Sequence, residues 1–186
     1  MGFGLRSRMP PTKSGLTKPP RLPTELIHAS PAAAAAPESM LVGSAQNVEM
    51  LDMMPGMDFF ASEPLLAMVR FARWDELLAE PKPPEKYLVM TALWLHGHGM
   101  ALVAKGRLDE AQQDLAAIQS LGLKLPPDLA AGQNPAQNVL QVAARVLEAR
   151  LAEGRKAPPA AVIALWKAAV EREDALAYSE PADWFY

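Results

Sequence analysis

The sequence predicts an all-α fold of helix-turn-helix units preceded by a disordered N-terminal extension. Three observations predict it. Proline is concentrated at what read as helix boundaries, apolar residues recur at helical spacing between those prolines, and a short polar motif repeats at a helical-hairpin period. The chain of 186 residues holds 18 prolines, about twice the usual ~5%. Seven of them precede residue 40, and the rest fall singly or in tight groups such as Pro81, Pro83, Pro84 and Pro126, Pro127. Proline removes a backbone donor and clashes with the preceding turn, so the proline-free windows are where helices can run. No convincing alternation of period two marks a strand.

In chain order, residues 1–44 form a Pro/Ala-rich basic stretch with Arg6, Arg8, Lys13, Lys18 and Arg21 against only Glu25 and Glu38. No continuous apolar core follows the basic residues, so a secretory signal is poorly supported, and the stretch reads as a disordered extension. The compartment stays open, with the cytoplasm favoured. Residues 45–186 read as the helical domain. From Lys86 to Lys105, Met90, Leu93, Trp94, Gly97, Ala101 and Ala104 share one stripe. Leu108, Ala111, Leu115 and Ile118 form the next, opposite Gln112, Gln113 and Asp114. From Ala136 to Glu153 there are two stripes, Val139, Val142, Ala143, Val146 and Leu140, Ala144, Leu147, Leu151, so this helix is expected between others. Val162, Leu165, Trp166, Ala169 and Leu176 line the last helix.

Arg73-Trp74-Asp75-Glu76 recurs thirty-four residues later as Arg107-Leu108-Asp109-Glu110, with Phe59 matching Leu93, Leu66 matching Met100 and Leu77 matching Ala111. In both copies a small residue and a basic residue end one helix, and an acidic pair suits the positive end of the next helix dipole. Gly154-Arg155-Lys156 reads as a third, looser copy, placed forty-eight residues after Gly106, with the added length mainly between Leu121 and Pro135.

The stretch Thr91–Ile118, TALWLHGHGMALVAKGRLDEAQQDLAAI, resembles a tetratricopeptide repeat (TPR). Gly99, Leu102, Gly106, Ala111 and Leu115 stand at that family's packing positions, whereas Leu95, His98 and Ile118 depart from its preferences. The segments MDFFASEPLLAMVRFARWDELLAEPKPP and EDALAYSEPADWFY are similar to parts of bacterial multi-repeat proteins of the same superfamily. The resemblance implies about three hairpins stacked as a short right-handed α-solenoid, and implies a protein or peptide partner in a concave groove. Carried over by register, the groove comprises Phe59, Ser62, Leu66 and Arg70, then His96, Met100 and Val103, then Gln141, Ala144 and Glu148. The same register turns His98 toward the packing interior. The aromatics Tyr178, Trp184, Phe185 and Tyr186 lack the polar face of a capping helix, which suggests an array truncated there, a docking partner (a second copy among them) or a tail folded back on the last hairpin, with truncation favoured.

Chemistry is sparse. Without cysteine there are no disulfides, thiolate metal sites or thiol nucleophiles. A net charge of -3 argues against a nucleic-acid partner, and no apolar run is long enough to span a bilayer. Met50, Met53, Met54 and Met57 are spaced as one helix face. Core packing explains them best, although thioethers with His96 would also suit Cu(I). His96 and His98, two apart on a helix, point to nearly opposite sides and cannot share a metal. No cofactor or metal is expected, and neither phosphate-binding nor nucleophile-elbow motifs occur. The sequence therefore predicts a non-catalytic interaction module. Its alternatives are a structural fragment of a longer array or, less favoured, a copper carrier.

Overall fold

Helix ends fall where proline and left-handed residues put them. The computed structural model describes residues 48–53 and 56–177. The extension over 1–44, Met54 and the aromatics from Tyr178 lie outside the described residues, as does the side chain of Met50. Helix α1 (Val48–Met53) leads to a 3-10 helix (Met57–Ser62), which runs into α2 (Glu63–Arg70) with Pro64 in its first turn. There the missing N–H costs nothing. Helix α3 (Trp74–Ala79) stops at Glu80, whose extended backbone (ψ 128°) is what Pro81 imposes on the residue before it. Helices α4 (Leu88–Ala104) and α5 (Leu108–Gly122) follow; Pro135 and Pro158 then stand at the N-caps of α6 (Ala136–Gly154) and α7 (Pro159–Asp174).

The expectation of no strand needs one correction. Between α5 and α6, β1 (Ala130–Ala131) pairs antiparallel with β2 (Asn134–Pro135), Ala130 opposite Pro135. The added length predicted between Leu121 and Pro135 is taken up by the end of α5, the Pro126-Pro127 turn and this small ladder. Period-two patterning cannot reveal two-residue strands. Gly56 ties the ladder to the start of the domain: its φ is 88°, and a Cβ there would stand 2.3 Å from the carbonyl oxygen of Ala130. Glycine alone meets both demands.

Packing follows from the apolar faces. Helix α4 touches the 3-10 helix, α2, α3, α5 and α6, which is why Val89, Ala92, Leu93, Leu95, Ala101 and Leu102 are all buried and its polar residues few. Helix α6, with apolar residues on two sides, lies against α4 and α5 on one side and α7 on the other, as its two stripes predict. At Gly99 a Cβ would approach Leu147 Cδ2 to 2.7 Å, so α4 and α6 meet over a residue with no side chain. Helix α7 makes its principal contact with α6, and Ala169 is its one buried residue.

Two buried polar side chains fasten this arrangement. Asp58 Oδ2 accepts the N–H groups of Val89 (2.9 Å) and Met90 (3.0 Å), so a residue of the 3-10 helix caps α4 from thirty-one positions away. Asn134 forms a reciprocal pair with the chain beyond α7, donating Nδ2–H to the Ala177 carbonyl (3.1 Å) and accepting the Ala177 N–H on Oδ1 (2.7 Å). Asn134→Ala is expected to speed amide exchange at Ala177 and the last turn of α7 at least tenfold, while the amides of α4 keep their protection. Hydrogen-exchange mass spectrometry resolves the two regions.

Candidate functional site

The site is built from three chain reversals of one geometry. Beyond the last turns of α2, α4 and α6, a residue has positive φ: Ala72 at 53°, Gly106 at 77° and Lys156 at 55°. Each of these N–H groups bonds to a carbonyl three residues back, on Val69, Val103 and Glu153 respectively. The N–H after it reaches five back, Arg73 to Met68, Arg107 to Leu102 and Ala157 to Ala152, all at 2.9–3.0 Å. This is the Schellman closure of a helix.

Side chains at the first two turns also match. Arg73 bonds both carboxylate oxygens of Glu76, and Arg107 both of Glu110. Arg107 and its hydrogen bond hold the Glu110 carboxyl below its ordinary pKa. Between hairpins, Lys105 at the end of α4 pairs with Asp75 of α3 at 2.6 Å, and Arg155 at the end of α6 approaches Asp109 of α5 at 3.9 Å. These pairs join turn-matched residues of successive hairpins.

The positive-φ positions correct the register of the third hairpin. Gly106 corresponds to Lys156, fifty residues on, rather than to Gly154. A cation precedes each of these two residues, Lys105 and Arg155. Counted from these two turns, Val146, Arg150 and Glu153 stand on α6 where His96, Met100 and Val103 stand on α4.

A cleft of about 450 Å³ lies where this register puts it, lined by Met100, Val103 and Ala104 of α4, Arg150, Glu153 and Gly154 of α6, and Trp74. Its floor is apolar. Its α6 wall carries a polar cluster: Arg150 Nη1 donates to Glu153 Oε2 at 2.9 Å, Trp166 Nε1–H donates to Glu153 Oε1 at 2.9 Å, and the Arg150 guanidinium lies 4.9 Å over the Trp166 ring. Burial raises the Glu153 pKa, but the hydrogen bonds from Trp166 and Arg150 outweigh it and leave the carboxyl below its ordinary value. Glu153 is therefore a fixed acceptor, and Arg150 is held flat against an aromatic face.

Of the predicted groove residues, only Met100 and Val103 line this cleft. Phe59 (1% exposed), Ser62 and His96 (both 0%) are corrections: they are packed inside, against neighbouring helices. Ser62 donates to the Asp58 carbonyl at 3.0 Å, and His96 Nδ1–H donates to the Ala143 carbonyl of α6 at 3.0 Å. Leu66 belongs to the core, and Arg70 is exposed on α2 outside the cleft. Gln141 and Ala144 line a separate apolar cleft of about 210 Å³ with Ile118 and Gly122 of α5 and Leu123 just after it, while Glu148 pairs with Arg145 at 2.6 Å. His98, expected inside, is instead half-buried, stacked on Trp94 (4.6 Å between ring centroids) and bonded to Asp114 at 2.7 Å. Of the methionines, Met53 is 76% exposed, whereas His96 of α4 is buried against α6, so these two residues of the alternative soft-metal reading share no surface.

No protein-family model, curated protein or solved structure matches this chain. Geometry alone therefore carries the functional reading. Among the described residues, no helix is long and apolar enough to cross a membrane.

Proposed function

We propose that the protein is a non-catalytic interaction module, TPR-like in its stacking, which takes an extended peptide or a partner helix in the cleft between α4 and α6. The observation that carries this reading is the cleft itself: an apolar floor of Met100, Val103 and Ala104 beside Trp74, walled by Arg150 and Glu153, which Trp166 of α7 holds from behind. Clefts that mix aromatic and aliphatic floor with a few fixed polar groups suit side-chain recognition. The stacking supports it too. Helix α4 lies against both α2 and α3, and α6 against both α4 and α5, the arrangement of successive hairpins in a helical repeat array.

Panning a random peptide display library on the full chain tests the reading. Selected peptides are expected to lose at least tenfold in affinity on Val103→Glu or Arg150→Glu, both at incompletely buried positions, with unchanged circular dichroism. Peptides that bind both variants as well as the wild type would remove the cleft from the function. A second reading, that the domain is one segment of a longer helical array, is favoured by Ile163 and Val170, large apolar residues of α7 that are exposed among the described residues.

A further inference from the structure

The cleft between α4 and α6 has engaged its acceptors and kept its donors. Its one lining carboxylate, Glu153, is bonded on both oxygens, Oε1 by the Trp166 indole and Oε2 by Arg150. The backbone carbonyls of two lining residues are taken as well, Val103 by the N–H of Gly106 and Glu153 by that of Lys156. Arg150 is the opposite case. A guanidinium carries five N–H donors in one plane, and among the described residues its one acceptor is Glu153, through Nη1. Stacking on the Trp166 ring uses a face of that plane and leaves its edge open, and the side chain is 48% exposed. Trp74 also lines the cleft, and its indole N–H meets no acceptor among the described residues without being sealed from solvent.

We infer that the cleft selects a peptide segment in which an aspartate or glutamate adjoins a large apolar residue. The carboxylate takes the open edge of Arg150, and the apolar side chain takes the floor of Met100, Val103 and Ala104. The inference rests on the cleft reading above and adds the chemistry of the ligand. An ionised carboxylate only accepts and matches two parallel guanidinium N–H groups, so it meets the donors that the cleft holds uncommitted. A cationic ligand would instead have to compete with Arg150 and Trp166 for Glu153. A neutral amide meets the same donors without charge assistance and binds more weakly. Trp166 does not line the cleft, but it holds one oxygen of Glu153 and the plane of Arg150. It is therefore a positioning residue, and Arg150 is the residue that reads the acid.

The test uses the full chain and peptides panned from a random display library. Each selected peptide is resynthesised with its acid replaced by the matching amide, and both forms are titrated by fluorescence anisotropy. Binding is measured to the wild type, Arg150→Gln, Trp166→Phe and Val103→Glu, and light scattering gives the mass of each protein. Expected in the selected peptides is an acid within two positions of a large apolar residue. Its exchange for the amide should cost at least tenfold on the wild type and less than threefold on Arg150→Gln, the mark of a coupled pair. Trp166→Phe keeps a ring and drops the N–H. It should shrink the preference for acid over amide at least threefold and leave the affinity of the amide peptide unchanged. Peptides that lose binding on Val103→Glu yet carry no acid would overturn the inference and leave the cleft reading standing, as would an acid that matters equally with and without the Arg150 charge. Peptides indifferent to Val103→Glu, or a library that yields none, would remove both. A wild-type dimer that Arg150→Gln converts to monomer would assign the cleft to a second copy and sink the inference.

Discussion

Acidification from pH 6.5 to about 4 is expected to cost the folded protein on the order of 3 kcal/mol through His96 alone. The imidazole is buried between α4 and α6, and this burial pushes its pKa down to about 4, against a smaller upward pull from the hydrogen bond to the Ala143 carbonyl. A carbonyl can only accept, so Nδ1 carries the proton of the neutral ring. The sign is fixed by the direction of the shift. Below pH 6.5 the unfolded chain binds a proton at His96 and the native state does not, so stability falls until the native ring also protonates near pH 4. Above pH 6.5 the contribution is complete. His96→Gln keeps an N–H donor and removes the titration, and should flatten the slope between pH 6.5 and 4.5. Urea unfolding in steps of half a pH unit measures it. A wild-type stability that does not change between pH 7 and 5 would sink the assignment. Glu110, Glu153 and Asp52, whose pKa values are lowered, lose their contributions only at and below the ordinary carboxyl range, so the two windows separate.

Removing the remote cap of α4 is the second large effect. Asp58→Ala deprives the amides of Val89 and Met90 of their acceptor, and Val89 is fully buried. A lost cap with buried donors left unpaired costs about 2–3 kcal/mol, which for a domain of this size lowers Tm by about 4–10 °C. Asp58→Asn keeps one side-chain oxygen and should cost roughly half as much. Calorimetry of the three proteins distinguishes the cases, and an Asp58→Ala variant melting with the wild type would show that the bonds contribute nothing.

How much of this was legible in the sequence differs between backbone and side chains. Proline has local consequences, so the boundaries at Pro81, Pro135 and Pro158 could be read directly. The two-sided apolar pattern of α6 likewise announced neighbours on both sides. The turn motif gave two reversals correctly and misplaced the third, because glycine is only one of the residues that adopt positive φ, and Lys156 does so here. Burial of candidate groove residues was harder. Phe59, Ser62 and His96 lie on the helix face assigned to the groove, yet that face is shared between open cleft and interhelical contact, and sequence spacing does not separate them. Asp58 was missed altogether, since its partners are thirty-one and thirty-two residues away and local pattern has no signal for them. Trp74, Arg150 and Glu153 were recoverable only from the turn register, through the matched cations Lys105 and Arg155.

The three chain reversals are alike in hydrogen bonding but unequal in conformational cost. Gly106 adopts its left-handed angle freely, whereas Ala72 and Lys156 hold theirs against the crowding of a Cβ, which costs about 1–2 kcal/mol each. The α4–α5 hairpin therefore closes without that cost, which the flanking hairpins must offset by packing. The turns after α2 and α6, the second of them beside the α6 wall of the cleft, are therefore where relief of backbone crowding has stability left to add, and Ala72→Gly or Lys156→Gly is the change expected to add it.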